Sequence, residues 1–209
     1  MTNAAMFEEF ARLGVATVYE ASGRVGLIDH EFTQLIPGSS VAGPARTALC
    51  GPGDNRAVHE AVGHLQPGEV LVLTMEEPAP VALIGDLLVT QIQKTGAAGV
   101  LVDASVRDSE DLVKMGLPIW TRWIRARGAT KNTRGQVNVP VSVGGAVIKP
   151  GDIVILDADG AAVVAQERAQ ESLAASWKRF ENEEQTRKRY LEGTLSYDQH
   201  GFRQEDKDS

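Results

Sequence analysis

Two short apolar runs separated by one helical segment constrain the fold of this chain more than any other feature. Residues 81–84 and 99–102 are apolar stretches of strand length, and residues 87–94 between them carry leucine and isoleucine at helical spacing. The order strand, helix, strand is typical of a parallel sheet that is covered by helices. The sequence therefore predicts an α/β domain in which the carboxyl ends of these two strands lie at one edge of the sheet.

Charged residues follow both predicted strands. Asp86 comes directly after the first strand and Gly85, and Arg107 and Asp108 come after the second, with twenty residues (87–106) between Asp86 and Arg107. In open α/β sheets, ligands bind in the crevice outside the carboxyl ends of the strands. Arginine offers a planar fork that matches a carboxylate, and aspartate offers a hard oxygen ligand for Mg²⁺. The pair can therefore hold an anionic substrate and a cation together; the simpler alternative is a surface ion pair beside the helix that begins near Ser109.

Other residues near this motif also have simple structural interpretations. Asp86 can cap the helix that follows it. Residues 51–55 (Gly-Pro-Gly-Asp-Asn) lack the spacing of a phosphate-binding loop, so they predict a turn before a helix. His59 and His64 belong to no zinc-binding pattern, and we expect them at the surface or at helix ends.

The rest of the sequence predicts further strands and helices of the same kind. Helical spacing covers residues 7–21, 55–65 and 109–115, and strand-like runs cover residues 41–50, 70–74, 117–120, 137–143, 146–148, 153–157 and 161–165. Pro-Gly turns at residues 66–69 and 149–152 lead into two of these strands. Residues 1–165 are therefore predicted to form one α/β domain.

The character of the sequence changes at residue 166, where a charged helix begins. Its apolar positions form one narrow stripe: Ala169, Leu173, Trp177 and Phe180. Such a stripe needs a surface to pack on, which is either the chain's own core or another subunit. We predict that residues 166–200 form a helical extension that packs on a neighbouring subunit, and that the highly charged residues 201–209 are disordered.

Composition narrows the class of partner. The formal net charge of −7 over 209 residues argues against nucleic acid, because binding a phosphate backbone calls for a basic stripe. One basic stretch interleaved with tryptophans is interpreted instead as a subunit contact or as a rim that attracts anionic substrates: Trp120, Arg122, Trp123, Arg125, Arg127 and Lys131.

Signals for a membrane or for export are not evident in the sequence. No run approaches the ~18 to 20 apolar residues that a membrane helix needs, and the first residues have neither a basic segment nor a long apolar one. The single cysteine, Cys50, excludes an internal disulfide and is predicted to be a small buried hydrophobe. We expect a cytoplasmic protein with neither a membrane nor a nucleic-acid partner.

The same residues resemble those of a known enzyme family. Residues 85–88 (Gly-Asp-Leu-Leu), the D-x20-R-D spacing, and residues 137–141 followed by two glycines are similar to class II pyruvate aldolases. Those enzymes cleave 4-hydroxy-4-methyl-2-oxoglutarate and 4-carboxy-4-hydroxy-2-oxoadipate. The chain is also similar to the related regulator-of-ribonuclease-E-activity A (RraA) proteins, and the resemblance runs from about residue 10 to about residue 200.

The resemblance implies a fold and an assembly. The fold is a single RraA-like α/β domain of the swivelling β/β/α type with a long C-terminal helix. The assembly is a homotrimer, or a dimer of trimers (a homohexamer), with active sites between subunits.

The resemblance also implies a role for each charged residue at the predicted crevice. Asp108 is the only direct protein ligand of Mg²⁺ or Mn²⁺, which suits a cation that keeps several waters. Arg107 binds and polarises the pyruvyl end of the substrate and lowers the pKa of a nearby water. Asp86 helps to position that water, which carries the proton.

Backbone groups and one amide side chain complete the implied substrate site. The amides of Leu87 and Leu88 lie at a helix N-terminus, which favours an anion such as the pyruvate carboxylate. Gly85 eases the turn into this helix, and the side chains of both leucines are expected in the core. Asn55, at the end of the Gly-Pro-Gly loop, is expected to line the pocket.

The C-terminal helix carries a further implied residue. In the aldolases, this helix supplies a carboxylate to the active site of the adjacent chain. Counting back three residues from Thr186, in the Glu-x-x-Thr-Arg context of the family, gives Glu183, with Glu184 as the alternative. RraA-type proteins are shorter and usually lack this tail, so its presence favours the enzyme.

The activity implied by the resemblance is metal-dependent retro-aldol cleavage. A 4-hydroxy-2-oxo acid would give pyruvate and a second oxo acid, with oxaloacetate decarboxylation as a side activity. A Schiff-base mechanism is the chemical competitor, but Lys94, the one lysine between Asp86 and Arg107, is expected to be exposed near a helix end. The alternative function is that of a non-catalytic RraA-type regulator that binds a ribonuclease.

Overall fold

A mixed sheet of nine strands lies at the centre of the computed structural model, which describes residues 2–208. Residues 2–208 contain eleven strands, nine in this sheet and two, β8 and β9, in a separate hairpin. They are β1 (Thr33–Gln34), β2 (Val41–Cys50), β3 (Val70–Met75), β4 (Ala82–Ile84), β5 (Gly99–Val106), β6 (Ile119–Ile124), β7 (Gln136–Val137), β8 (Val141–Val143), β9 (Ala146–Ile148), β10 (Ile153–Asp157) and β11 (Gly160–Val164). The helices are α1 (Asn3–Ala21), α2 (Arg56–Val62), α3 (Asp86–Lys94), α4 (Ser109–Met115), α5 (Ala169–Leu191), α6 (Ser196–Gln199) and α7 (Phe202–Asp208), and a 3₁₀ turn at Gln166–Arg168 precedes α5.

The middle of the sheet is parallel, in the order β6-β5-β3-β2, and β4 adds to β5 at the edge where α3 begins. Every residue of β3 and of β5 is buried. Helices α2, α3 and α4 pack on one face, while the β8–β9 hairpin packs on the other. Continuous apolar strands are typical of parallel sheets that are buried on both faces, and the predicted α/β class is confirmed.

One predicted strand is interrupted in the structure. Residues 137–143 are predicted as a single strand, but they divide into β7, which pairs with β2, and β8, which pairs with β9. Asn138 lies at the break with a φ of +56°. Asparagine tolerates this left-handed conformation better than most residues, so the chain turns there from one sheet to the other.

The first half of α5 packs on its own chain, which is one of the two alternatives that the sequence left open for its apolar stripe. Ala169 and Leu173 are buried in a cluster with residues of α1, and Trp177 and Phe180 are partly buried against it. The stripe therefore finds its partner within the chain. Beyond Phe180 the helix is largely exposed, with Leu191 83% exposed, so packing of residues 181–200 on a neighbour stays a prediction.

The charged end of the chain is helical where disorder is predicted. Phe202, the first residue of α7, places its ring 5.4 Å from that of His200 and 6.1 Å from that of Tyr197, between centroids. These ring contacts give α7 a surface to pack on, which a count of charges does not reveal. Ser209 lies outside the described residues.

The structure also bears on two expectations from the sequence, the burial of Cys50 and the lack of a membrane-spanning helix. Cys50 is buried, as predicted. Burial, and then the nearby charge of Asp54, raise the pKa of its thiol to about 12. Within residues 2–208, no helix has both the length and the apolar character needed to cross a membrane.

Candidate active site

The carboxyl ends of β4 and β5 bring together the three charged residues of the D-x20-R-D spacing. Asp86 is the first residue of α3, and Arg107 and Asp108 follow β5 directly. The Oδ2 atom of Asp108 accepts hydrogen bonds from the backbone N–H of Asp86 and from Nε of Arg107, both at 3.3 Å. Parallel pairing of β4 with β5 places these ends side by side, and the predicted crevice is present.

The capping alternative for Asp86 does not match the local geometry, whereas the ion pair that was the simpler alternative for Arg107 and Asp108 is present beside α4. Asp108 occupies the N-cap position of α4 but makes no side-chain capping bond. Asp86 lies inside α3, and Gly85 takes the N-cap position without a side-chain bond. Both carboxylates therefore remain available for another purpose, although the Asp108 carboxylate also forms the ion pair with Arg107.

Backbone conformation and close packing hold the cluster in place. Asp108 has a φ of +56°, in the left-handed region, and such conformations in non-glycine residues concentrate at functional sites. A Cβ at residue 85 would overlap Oδ2 of Asp108, and a Cβ at Gly128 would lie 3.0 Å from Nη1 of Arg107. Glycines at these two positions leave room for the charged side chains.

A small cavity, called here the inner pocket, opens beside Asp86. Its volume is about 120 Å³. It is lined by Asn55, His59, Ala82, Leu83, Ile84, Gly85, Asp86, Leu87, Leu88, Arg107, Ala129 and Lys131. All the residues predicted to bind substrate are therefore brought together here, and their roles stay predictions.

The inner pocket offers hydrogen-bonding groups that the described residues leave unpaired. The backbone N–H groups of Leu87 and Leu88, in the first turn of α3, have no acceptor within residues 2–208. Asn55 is buried; its Nδ2 donates to the carbonyl of Leu83 at 2.8 Å, while its buried Oδ1 has no partner there. Unpaired buried polar atoms are rare in proteins, so this wall is suited to a polar ligand.

The side chains of the two leucines differ in burial, which corrects the expectation that both lie in the core. Leu88 is 8% exposed, whereas Leu87 is 75% exposed. Helix α3 buries Leu88, Val89 and Ile92, and Leu87 lies outside this buried face. Leu87 nevertheless lines the inner pocket.

Two basic residues of the pocket were not singled out from the sequence as site residues. His59 and Lys131 both line the inner pocket. Burial, and then the charge of Lys131, lower the pKa of His59 below its ordinary value. One signal was available: His59 follows Asn55 by four residues on a predicted helix, a spacing that places two side chains on the same face. Lys131 is noted from the sequence only as part of the basic stretch at residues 120–131, which is interpreted as a subunit contact or as a rim that attracts anionic substrates. No local pattern places it in this pocket, because it lies on the loop after β6.

Asp54 holds the loop that carries Lys131 against the start of α2. The Asp54 carboxylate is fully buried and accepts hydrogen bonds from the Thr130 hydroxyl at 2.6 Å, and from the backbone N–H groups of Arg56, Asn132 and Thr133. Burial alone raises the pKa of this group, but the hydrogen bonds outweigh it and lower the pKa to about 2. Asp54 thus positions the loop that carries Lys131.

The shifted pKa of Asp54 predicts a pH dependence of stability. A folded-state pKa of about 2, below the ordinary 3.8, gives a stabilisation that is present above pH 3.8 and is lost as the pH falls toward 2. In Asp54→Asn, we expect the free energy of unfolding to depend less on pH between pH 4 and pH 2 than in the wild type, as measured by urea titration at each pH. Asp159→Asn, at an exposed carboxylate, serves as the control. Equal slopes in wild type and Asp54→Asn would contradict the role of Asp54.

A second cavity, the outer pocket, also borders Arg107. Its volume is about 390 Å³, and it is lined by Arg107, Asp108, Ile124, Arg125 and Ala126. Arg107 is thus shared by both pockets. Asp108 lines the outer pocket but not the inner one, so a cation held by Asp108 would border the outer pocket.

The donor set at Asp108 fits a hard divalent cation with few protein ligands. Among the described residues, no group of three or more His, Cys, Asp or Glu side chains is placed to hold a metal. A single carboxylate is nevertheless the type of site that Mg²⁺ uses, because it retains several waters and binds through one or two carboxylates. The Oδ1 atom of Asp108 has no hydrogen-bond partner among the described side chains and backbone of residues 2–206, which leaves one oxygen for such a cation.

Glu183 is not brought to this site within its own chain. Its carboxylate pairs with Arg179 at 2.8 Å and lines a groove along α5 and the end of α1. Glu184 pairs with Arg187 at 3.0 Å. Neither residue lines the inner or outer pocket, so a catalytic role for either one requires a second copy of the chain and stays a prediction.

Comparisons with known proteins agree on one family. The chain is 34% identical over 176 residues (84% of each protein) to a Halalkalibacterium halodurans protein named "Putative 4-hydroxy-4-methyl-2-oxoglutarate aldolase". The structure of Streptomyces coelicolor RraAS2, described as an unusual member of the RNase ES inhibitor RraA protein family, is 30% identical, with a TM-score of 0.78 over 89% of this chain and 97% of that one. The RNA-processing inhibitor RraA from Thermus thermophilis is 27% identical, with a TM-score of 0.60 over 67% of this chain and 83% of that one.

The family assignment rests on most of the chain. Residues 15–163 match the RraA-like family, described as Aldolase/RraA. This range includes both pockets but excludes α5. The predicted RraA-like α/β fold with a long C-terminal helix is confirmed, and the chain belongs to the RraA-like family.

Proposed function

We propose that the protein is a divalent-metal-dependent aldolase that cleaves a 4-hydroxy-2-oxo acid into pyruvate and a second oxo acid. The observation that carries the proposal is the cluster of Asp86, Arg107 and Asp108 beside the unpaired amides of α3. It combines a cation ligand, an anion-binding helix terminus and a guanidinium within one crevice. The name of the Halalkalibacterium halodurans relative supports the same activity.

The inner pocket suits the pyruvyl half of the substrate. Its carboxylate would accept hydrogen bonds from the amides of Leu87 and Leu88, because the helix terminus carries a partial positive charge. Arg107 would donate to the 2-oxo oxygen and hold that group at the junction of the two pockets. Asn55 Oδ1 would accept a hydrogen bond from a water or from a hydroxyl of the ligand.

The chemistry requires charge stabilisation and a place for a proton. Mg²⁺ or Mn²⁺ held by Asp108 would supply Lewis-acid stabilisation of the developing enolate. Arg107 adds fixed positive charge where the oxygen becomes negative. The half-buried carboxylate of Asp86 would position a water near Arg107 so that the water returns a proton to the pyruvate methyl carbon. Decarboxylation of oxaloacetate forms the same enolate and is expected as a side activity.

A Schiff-base mechanism is less well supported by the lysines near the site. Lys94 is exposed at the last position of α3. Lys131 lines the inner pocket but is also exposed. A Schiff-base lysine is typically desolvated in a hydrophobic pocket, and both of these lysines are exposed to solvent.

A coupled pyruvate assay tests the proposal. With Mg²⁺ present, we expect pyruvate from 4-hydroxy-4-methyl-2-oxoglutarate or 4-carboxy-4-hydroxy-2-oxoadipate and from oxaloacetate, and loss of both activities in EDTA. Full activity in EDTA, or covalent trapping of a pyruvate adduct by borohydride, would contradict the metal-dependent mechanism. Release of no pyruvate from any of these acids would exclude the aldolase.

A ribonuclease-binding regulator is the second candidate. It is favoured by the similarity to RraAS2, at 30% identity over nearly the whole length of that chain. In that case the charged crevice would serve no catalytic purpose. The same assay separates the two candidates, because a regulator would release no pyruvate from oxaloacetate or from any 4-hydroxy-2-oxo acid.

A further inference from the structure

The two pockets differ in size and lining, and this difference indicates which half of the substrate each pocket would hold. The inner pocket, at about 120 Å³, offers backbone amides and a buried asparagine; the outer pocket, at about 390 Å³, is wider. The pyruvyl fragment is small and is common to every substrate of the proposed reaction. It suits the small pocket, which leaves the outer pocket for the half that is released as the second oxo acid.

Arg125 is the residue of the outer pocket whose charge is not yet used. It follows β6 directly, and its backbone N–H donates to the carbonyl of Val106 at 3.0 Å, which fixes its position beside Arg107. Its Nη1 atom donates only to the neighbouring carbonyl of Ile124, at 2.8 Å. No carboxylate of residues 2–206, the part of the chain with described side chains, forms an ion pair with it.

Arg122, three residues before Arg125, has a structural role and serves as a comparison. Arg122 pairs with the buried carboxylate of Asp103 at 3.0 Å and lies over the ring of Trp123 at 4.3 Å. Its charge is therefore neutralised within the fold. Among residues 2–206, whose side chains the structure describes, Arg125 has neither an acidic partner nor an aromatic one, so its guanidinium can bind a carboxylate with two parallel hydrogen bonds.

We propose that Arg125 is a specificity-determining residue that binds an anionic group, of the carboxylate class, on the half of the substrate released together with pyruvate. The proposal rests on the proposed aldolase function and assigns the second half of the site. Arg107 holds the pyruvyl end and Arg125 the distal end, so the enzyme would prefer oxo acids with a second carboxylate over those that end in an alkyl group.

Binding of two matched oxo acids tests the proposal without relying on turnover. 2-Oxoglutarate and 2-oxopentanoate have chains of five carbons, but only the first ends in a second carboxylate. By titration calorimetry in Mg²⁺, we expect the full-length protein to bind 2-oxoglutarate about 10- to 100-fold more tightly, the range for hydrogen bonds to a charged group. Arg125→Ala should remove this preference by weakening only 2-oxoglutarate, and Arg125→Lys should keep part of it.

Arg127→Ala is the matched control. Arg127 is exposed, lies two residues further along, and lines neither pocket, so its loss should leave the preference unchanged. The proposal is overturned if the wild type does not prefer 2-oxoglutarate, or binds neither acid. It is also overturned if the preference survives in Arg125→Ala. An equal loss of the preference in Arg127→Ala would overturn it too, because the preference would then come from the overall positive charge of the segment and not from contact with Arg125. A negative pyruvate assay would instead count against the aldolase function, so the two failures are distinguishable.

Discussion

Asp108→Asn is expected to lower pyruvate release by at least ~10³-fold, about 4 kcal/mol of transition-state stabilisation, with both a 4-hydroxy-2-oxo acid and oxaloacetate. Both reactions pass through the same enolate, and Asp108 is proposed to hold the cation that stabilises it. An amide has the shape of the carboxylate but lacks the charge that a hard cation requires. The coupled pyruvate assay measures the loss at saturating Mg²⁺, and calorimetry with Mg²⁺ alone should show weaker binding.

Asparagine is a better replacement for Asp108 than alanine because of the backbone. The residue has a φ of +56°, and asparagine tolerates this conformation, whereas alanine would add strain of about 1 kcal/mol or more. The thermal unfolding of Asp108→Asn should therefore stay close to that of the wild type. Arg107→Ala is expected to lose both activities as well. An Asp108→Asn enzyme that keeps near-wild-type activity would rule out Asp108 as the metal ligand.

The sequence predicts the parts of the site that local patterns place. Asp86 and Arg107 each follow a short buried strand, and parallel strands end at the same edge of a sheet, so their proximity follows from local pattern and topology. Asn55 was placed through the family resemblance, because the pattern of its loop alone predicts only a turn.

Residues placed by tertiary contacts could not be predicted in the same way. Lys131 reaches the inner pocket because Asp54, far away in sequence, binds the loop that carries it. The exposure of Leu87 depends on which face of α3 packs on the sheet. Leu87 lies next to the apolar positions Leu88 and Ile92, and helical spacing alone does not decide whether such a neighbouring residue is buried. Likewise, the apolar stripe of α5 requires a partner but does not identify it; the structure supplies α1 of the same chain.

Glu183→Ala is expected to lower aldol cleavage by ~10²- to 10⁴-fold, the usual contribution of a positioned general base, while oxaloacetate decarboxylation stays largely intact. Aldol cleavage needs a base to take the proton from the C4 hydroxyl, whereas decarboxylation has no such proton to remove. Glu183 lies outside both pockets of its own chain, so the effect requires that the exposed half of α5 reach the site of a neighbouring subunit. The assembly itself, predicted to be a trimer or hexamer, can be measured by light scattering, and a monomer at micromolar concentration would contradict this arrangement.

Glu184→Ala is the control that separates catalysis from a general effect on the helix. The two glutamates are adjacent, have side chains that are 42% and 43% exposed, and each pairs with an arginine of the same helix, Arg179 and Arg187 respectively. Exposed pairs of this kind contribute only ~0.3–0.5 kcal/mol, so both variants should be destabilised slightly and equally. A divergence between the two reactions in Glu183→Ala alone supports its role as the base supplied across the interface. The same divergence in Glu184→Ala alone would move the role by one residue, and equal losses of both reactions in Glu183→Ala would show that the helix matters for assembly rather than for proton transfer.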